Sequence, residues 1–153
     1  PSYSLIASLN EDTLCLLSDA IINRLGNIRD YMEKYNLIWA LGHIYHHDAM
    51  LDAVPLLRHI ERSWFTERRL IREVASKSLC MIDKYLHYSS LKGLHLKTHE
   101  FRSGKGSVFY GGKYYQAAVK DSACTLPDNS DVSVRGVDTS SEGSFGLWVE
   151  PVV

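Results

Sequence analysis

Imidazole and carboxylate side chains that can bind metal ions are concentrated in the segment GHIYHHDAMLD, residues 42–52. They are His43, His46, His47 and Asp48. If the segment is helical, His43 and His47 lie one turn apart, and two histidines at that spacing can share a zinc ion. A metal-dependent hydrolase with these four residues as metal ligands is therefore one hypothesis for this chain.

The His47-Asp48 pair resembles the histidine-aspartate doublet of HD-type phosphohydrolases. That family needs a further histidine upstream and an aspartate downstream on other helices, and Asp52 and His59 lie too close to fill those places. No glutamate follows His43 to serve as a general base. The alternative is that these residues form the polar end of one helix and its loop, with Asp48 or Asp52 capping the next helix. The sequence favours this alternative, and we predict no catalytic residue and no cofactor.

An arginine-rich segment, RHIERSWFTERRLIRE at residues 58–73, is the second candidate site. Its arginines are Arg58, Arg62, Arg68, Arg69 and Arg72. Such a cluster can bind phosphates or an acidic partner. The interleaved Glu61, Glu67 and Glu73 offer intrahelical ion pairs instead, which predict a solvated helix face. Trp64 and Phe65, between two helices, are more typical of a core than of a recognition site.

Composition limits the classes of protein that need to be considered. The chain has 153 residues, 45% of them hydrophobic and 23% charged, with a formal net charge of −1. It lacks the overall basic field that favours nucleic acid or a membrane surface. Cys15, Cys80 and Cys124 are widely spaced, without a Cys-x-x-Cys pair, which predicts reduced thiols in the cytoplasm. The sequence shows neither a signal peptide nor an apolar run of about 18 residues, so no membrane span is expected.

Helical periodicity runs from about residue 14 to residue 86, because apolar residues recur at positions i, i+3 and i+4. It predicts four helices. Their apolar positions run over Leu14–Ile28, Leu37–Tyr45, Leu56–Ile60 and Leu70–Ile82. Asn10 or Asp12 is expected to cap the first helix. The third is expected to start near Asp52, with Pro55 tolerated in its first turn.

Part of this helical region resembles HEAT repeats, a family of paired helices. The resemblance is carried by Ala40, Leu41, Gly42, Ile44, Val54, Pro55, Leu56 and Leu57. It implies stacked helix pairs, which bury their faces only against neighbouring repeats and therefore need a cap. A plain four-helix arrangement without repeat ancestry is the alternative.

After Leu91 the periodicity changes from helical to extended. Val108 and Tyr110, then Tyr114 and Gln116, alternate around Gly111-Gly112, and a two-residue turn at these glycines would supply positive φ. Further alternating runs follow, separated by turn residues: DVSVRGVD at 131–138 and FGLWVEP at 145–151. The pattern predicts four or five short strands that form a small barrel.

The extended region resembles the soluble C-terminal domain of NfeD-family proteins. The shared positions are Gly106, Val108, Gly112, Ala117, Leu126, Pro127, Val132, Val134, Val137, Asp138, Leu147, Val149, Glu150 and Pro151. The resemblance implies a five-stranded OB-type barrel that is used for protein contacts and assembly and has no catalytic residue. Asn129 stands where that family usually has glycine, and asparagine accepts the same left-handed conformation. The membrane helices that precede the barrel in the family are missing here.

The predicted barrel is a weak candidate for nucleic-acid binding. It presents Tyr110 and Tyr114 among its aromatic residues, and OB folds that bind single strands combine stacking aromatics with a basic groove. Residues 99–153, however, hold seven acidic and five basic side chains. Repulsion of phosphate by this excess of acid argues against the role.

Taken together, these patterns predict an α+β protein with a HEAT-like or four-helix layer at residues 1–98 and a small five-stranded OB-type β-barrel at residues 99–153. We predict a non-enzymatic, cytoplasmic adaptor or scaffold that binds a protein partner or itself. The candidate binding residues are Arg58, Arg62, Trp64, Arg68, Arg69, Arg72, Tyr110 and Tyr114. Nucleic-acid binding through the arginine-rich face and metal-dependent hydrolysis are the alternatives.

Overall fold

The computed structural model describes residues 9–121, 125–141 and 144–152. The chain divides into two compact units, Pro1–Lys84 and Tyr85–Val153. The first is helical and the second contains a closed five-stranded barrel, so the predicted α+β class is confirmed. The sequence placed the border after residue 98, whereas the border between the compact units falls after Lys84. Within the described residues, no helix is both long enough and apolar enough to cross a membrane.

Four α-helices lie within the described residues. They are α1 (Glu11–Leu25), α2 (Tyr31–Leu41), α3 (His47–Glu61) and α4 (Arg69–Ser89). Asn10 caps α1 by accepting a hydrogen bond from the Thr13 amide at 2.8 Å, as predicted. Asp30 caps α2 by accepting from the amides of Met32 and Glu33.

The predicted start of the third helix is wrong. Helix α3 begins at His47, with His46 as its N-cap, so Pro55 lies inside the helix rather than in its first turn. Proline lacks the amide that would bond the carbonyl four residues earlier, here that of Leu51. Both Leu51 and Pro55 are exposed, so water can satisfy that carbonyl and the helix continues.

A buried hydrogen bond joins α2 to α4 in the helical unit. Ser78 is only 3% exposed, and its hydroxyl donates to the Ile38 carbonyl at 2.8 Å. Gly42, which follows α2, lies so close to Ser78 that only hydrogen fits in place of a side chain. The largest fully buried side chains of this unit are all aliphatic or thioether groups: Ile38, Leu41, Ile44, Met50, Leu57, Ile71, Val74 and Ile82.

Five strands form the barrel. They are β1 (His95–Arg102), β2 (Lys105–Tyr110), β3 (Lys113–Ala118), β4 (Asp131–Asp138) and β5 (Gly146–Pro151). Their order is β1-β2-β3-β5-β4, closed by pairing of β4 with β1. All the pairings are antiparallel except β3 with β5, which pair in parallel through Ala117–Leu147 and Ala118–Trp148.

The β2–β3 hairpin fixes which side chains enter the barrel. Gly111 and Gly112 have φ values of 58° and 79°, so the predicted two-residue turn with positive φ is confirmed. Val108 pairs with Tyr115, and both are buried. Since side chains alternate along a strand, Phe109 and its pairing partner Tyr114 face outward.

β-Branched residues fill much of the barrel interior, as the sequence predicted. Val108, Val132, Val134 and Val149 are each at most 2% exposed, whereas Val137 is only half-buried. Asn129 has a φ of 63°, the left-handed conformation expected of it. The side chain of Tyr88 and those of Leu94 and Leu126 pack against this core.

Candidate functional site

The histidine cluster predicted from the sequence does not lie on one helix. Helix α2 ends at Leu41 and helix α3 begins at His47, so His43 lies in the connection and His47 is the first residue of α3. The expectation that these two histidines share a helix face one turn apart is therefore wrong. Helix α2 ends at Leu41, with Gly42 as its C-cap, so it does not extend through His43 to His47.

Each member of the cluster has its own local contact. Nδ1 of His43 lies 2.9 Å from the Trp39 carbonyl oxygen, and its ring stacks on the Trp39 indole at 3.9 Å. Nδ1 of His46 accepts from the Ala49 amide at 3.3 Å, so neither Asp48 nor Asp52 caps α3. Nδ1 of His47 lies 3.2 Å from Asp48 Oδ1 at the exposed surface. Across residues 9–121, 125–141 and 144–152, no three histidine, cysteine, aspartate or glutamate side chains group as a metal site requires.

The Cys15 thiol lies beside one member of this cluster, His46. Its Sγ lies 3.4 Å from His46 Nδ1 and 3.7 Å from His46 Nε2. Burial raises the pKa of the Cys15 thiol, and the negative charges of Asp48 and Asp19 raise it further. A reactive cysteine needs a lowered pKa, so this pair is not arranged as a catalytic dyad.

We expect slow alkylation of Cys15. In protein carrying Cys80→Ser and Cys124→Ser, the iodoacetamide rate should rise with pH to a midpoint above the ordinary thiol value of about 8.5, because the raised pKa leaves less thiolate at any given pH. The additional change Asp48→Asn removes one negative charge and should speed the reaction at pH 8. The same protein in urea gives the ordinary midpoint as a control. A midpoint in folded protein at or below the urea value would contradict the assignment.

The arginine-rich segment is divided between the end of α3 and the start of α4. Arg58 lies in the last turn of α3 and Arg62 caps its C-terminus. Arg68 immediately precedes α4, of which Arg69 is the first residue. The segment therefore surrounds the α3–α4 corner, the connection formed by residues 62–68.

One of these five arginines forms an ion pair with a carboxylate. Arg69 Nε lies 2.9 Å from Glu73 Oε1 in the i, i+4 arrangement expected from the sequence. Glu67 instead pairs with Lys34 of α2. The remaining arginines have no carboxylate within 4.0 Å among the described residues. The cluster thus keeps most of its positive charge available.

The two aromatic residues of the corner lie at the surface, so their predicted position in the core is wrong. Trp64 is 71% exposed and Phe65 is 103% exposed. The Arg72 guanidinium lies 4.3 Å from the centroid of the Trp64 ring, within the range of a cation–π interaction. Leu70, in the first turn of α4, is also exposed, at 54%. We call Trp64, Phe65, Arg68, Leu70 and Arg72 the corner surface.

Several contacts restrain the α3–α4 corner. The Ser63 hydroxyl donates to the His59 carbonyl at 2.6 Å, and the Glu67 amide donates to the Ser63 carbonyl at 3.0 Å. The Lys34 and Glu67 side chains that form the ion pair are only 20% and 17% exposed. The Arg68 guanidinium lies 4.6 Å from the Tyr31 ring centroid. Because the backbone is held in this way, little ordering is needed for the corner surface to bind.

The predicted binding tyrosines of the barrel have different surroundings. Tyr114 is 57% exposed and contacts Phe109 and His99 on the outer face, with ring centroids 5.0 and 5.3 Å apart respectively. Tyr110 lies at the end of β2, beside the turn, and is 41% exposed. The structure therefore forms an outer aromatic cluster of His99, Phe109 and Tyr114 that the sequence identified only in part.

A groove of about 640 Å³ lies in the same unit, lined by residues of all five strands and of the segments before β2, after β3 and before β5. Its lining includes the basic side chains Lys105 and Lys120 and the acidic side chains Glu100 and Asp138. Asp138 Oδ1 accepts hydrogen bonds from both the amide and the hydroxyl of Ser140. With its charges balanced, the groove has no evident preference for an anion or a cation.

Sequence reasoning missed the residues that support the corner. Tyr31 and Lys34 lie on α2, more than thirty positions before the arginine and the glutamate that they contact. No local pattern connects positions so far apart. Leu70 and His99 were also missed as surface residues, because exposure depends on tertiary packing rather than on residue type.

The fold and the site together define a mixed α+β chain, with a surface of exposed aromatic and cationic side chains in its helical unit and a closed five-stranded barrel in its second unit. Comparison with protein-family models, with curated proteins and with solved structures gives no significant match. The resemblances to HEAT repeats and to NfeD-family barrels therefore stay predictions.

Proposed function

We propose that this protein is a non-enzymatic protein-interaction module and that the corner surface is where it binds its partner. The observation that carries the proposal is the exposure of Trp64 and Phe65, together with the Arg72 guanidinium that lies over the Trp64 ring. Tryptophan and arginine are the residues most enriched among those that dominate binding energy at protein interfaces. The proposal places the protein in the cytoplasm, where widely spaced cysteines remain reduced.

The energetics of the corner favour binding over a purely structural role. Leaving two large aromatic side chains in water forgoes the roughly 1.5–3 kcal/mol that burial of such a side chain provides. The corner is nevertheless held by the Lys34–Glu67 ion pair and by the hydrogen bonds of Ser63. Exposed aromatics on an ordered connection match the rigid anchors by which protein interfaces gain affinity without a large loss of conformational entropy.

Site-specific photo-crosslinking tests the proposal. With benzoylphenylalanine in place of Phe65, irradiation in cells of the source organism should give one defined adduct, to another protein or to a second copy of this chain. Unlabelled wild-type protein should compete the adduct away, whereas protein carrying Trp64→Ser should compete at least tenfold less well, a difference of about 1.4 kcal/mol in binding. Benzoylphenylalanine at Phe109 is the control, since it samples an exposed aromatic position in the other unit.

The proposal fails if position 65 gives no adduct beyond those at position 109. It also fails if Trp64→Ser protein competes as well as wild type does. Trp64 is 71% exposed, so the substitution should leave the melting temperature nearly unchanged.

Nucleic-acid binding is a second candidate, supported by one specific observation: Arg58, Arg62, Arg68 and Arg72 have no carboxylate within 4.0 Å in the described part of the chain. The acidic side chains Glu61 and Glu73 line the same recess as Arg72 and oppose phosphate there. This candidate predicts an affinity for a 20-nucleotide single strand that falls steeply with salt. Absence of binding at 20 mM salt would eliminate it.

A further inference from the structure

We infer that the corner surface recognises a partner segment that is acidic as well as apolar. This inference rests on the proposed function and specifies the chemistry of the partner. Its basis is charge complementarity, because the corner concentrates positive charge on a chain whose formal net charge is −1. The segment 58–73 holds five arginines against three glutamates.

The internal ion pairs leave the positive charges of the corner surface unmatched. Glu67 forms an ion pair with Lys34, and Glu73 forms one with Arg69. Arg68 and Arg72 instead lie against the rings of Tyr31 and Trp64. The Nε of Arg72 is buried without a hydrogen-bond acceptor anywhere in the described ranges. Arginine fixed against an aromatic ring loses little further freedom on pairing with a carboxylate, a strong charge-assisted interaction.

The start of α4 provides a second, independent preference for negative charge. The first turns of α1, α2 and α3 each contain an acidic residue, whereas the first turn of α4 contains none. In the part of the chain that the structure describes, the amides of Arg69, Leu70 and Ile71 find no acceptor. Unbonded amides and the helix dipole both favour an anion at this position.

The apolar members of the corner surface distinguish a peptide from a polyanion. Trp64, Phe65 and Leu70 are exposed, and Trp64 lies against the Arg72 guanidinium. Together with Arg69 and Arg72, Trp64 lines a recess of about 510 Å³ whose other members include Glu61 and Glu73. A nucleic acid would leave Leu70 without an apolar partner. A segment that carries both acidic and large apolar side chains satisfies both parts of the surface.

Peptide selection with the full-length protein tests the inference. A phage library of random 12-residue peptides is selected against the wild-type protein and sequenced before and after selection. We expect the content of aspartate plus glutamate to rise at least twofold, in peptides that also carry leucine or an aromatic residue. A synthetic peptide of the most enriched sequence should bind 10- to 100-fold more weakly to protein carrying Arg68→Gln and Arg72→Gln.

A matched control separates local recognition from net charge. Arg102→Gln with Arg135→Gln also removes two positive charges, but from the barrel unit, and should change the affinity for the peptide less than threefold. The composition of the selected peptides depends on no variant, so a poorly folded variant does not affect that result. Measurement with the enriched peptide at 50 and 300 mM salt should show weaker binding at the higher salt.

The outcomes separate the inference from the proposed function. Selected peptides that show no excess of acid but lose binding on Trp64→Ser would overturn the inference and leave the proposed function standing. Selected peptides whose binding is unchanged by both Trp64→Ser and the double arginine variant would overturn both. A single-stranded 20-nucleotide probe that binds through Arg68 and Arg72, with no peptide enriched, would also overturn the inference, in favour of nucleic acid.

Discussion

Replacement of Gly106 with alanine is expected to unfold the barrel. Gly106 lies in β2, on the side of the strand that faces the interior, directly beside Phe101. A Cβ at this position would lie 2.5 Å from Phe101 Cδ1 and 2.7 Å from Phe101 Cα. The ring could turn aside, but the Cα belongs to the backbone of β1, so two paired strands would have to separate. We expect a loss of about 3 kcal/mol or more in the free energy of unfolding.

Gly136 provides the matched control for this substitution. It is also a strand glycine of the barrel, in β4, and a Cβ added there has no heavy atom within 4 Å. Urea denaturation, followed by the loss of barrel amide signals in NMR spectra, should show Gly136→Ala close to wild type and Gly106→Ala largely unfolded. Equal stability of the two variants would show that the close approach of Phe101 to Gly106 is absent in solution.

Gly42→Ala is expected to destabilise the helical unit by about 2–3 kcal/mol. A Cβ on Gly42 would lie 2.9 Å from Cα, Cβ and Oγ of Ser78. Ser78 cannot move away without breaking the buried hydrogen bond that it donates to the Ile38 carbonyl. The loss therefore combines steric overlap with an unsatisfied buried polar group.

Gly26 allows the effect of packing at Gly42 to be separated from the effect of the backbone. Both glycines cap the C-terminus of a helix, with φ and ψ of −70° and −18° at Gly26 and −73° and −7° at Gly42. Alanine accepts these angles, and a Cβ at Gly26 would lie 3.5 Å from the Asn23 carbonyl oxygen, an ordinary contact. Thermal denaturation should show Gly26→Ala unchanged or more stable by up to about 1 kcal/mol. A similar loss in both variants would refute the packing explanation.

Local chemistry was sufficient to predict most of the elements. Apolar residues at helical spacing predicted the helices, and Asn10 predicted the first N-cap, because both signals depend on residues within one or two turns. The hairpin at Gly111 and Gly112 was equally predictable, since a two-residue turn requires positive φ that glycine readily adopts. Alternating valines located β4 in the same way.

The candidate site was less predictable because it depends on contacts between distant residues. Trp64 and Phe65 are apolar and lie between helices, which suggests burial, but both are exposed in the folded chain. Glu67 was expected to pair with an arginine on its own helix, but it forms an ion pair with Lys34 of α2. His43 and His47 were separated by the end of α2, and helix ends are the least certain feature of a sequence-based prediction.

The position of β5 in the ring has a consequence for synthesis of the protein on the ribosome. Strand β5 pairs with β3 on one side and with β4 on the other, so the ring cannot close before β5 has left the exit tunnel. Until then, the growing chain presents two unpaired strand edges that other nascent chains could join. Closure also joins segments far apart in the chain, which slows folding. The interval before β5 emerges is thus when a chaperone would protect this protein most effectively.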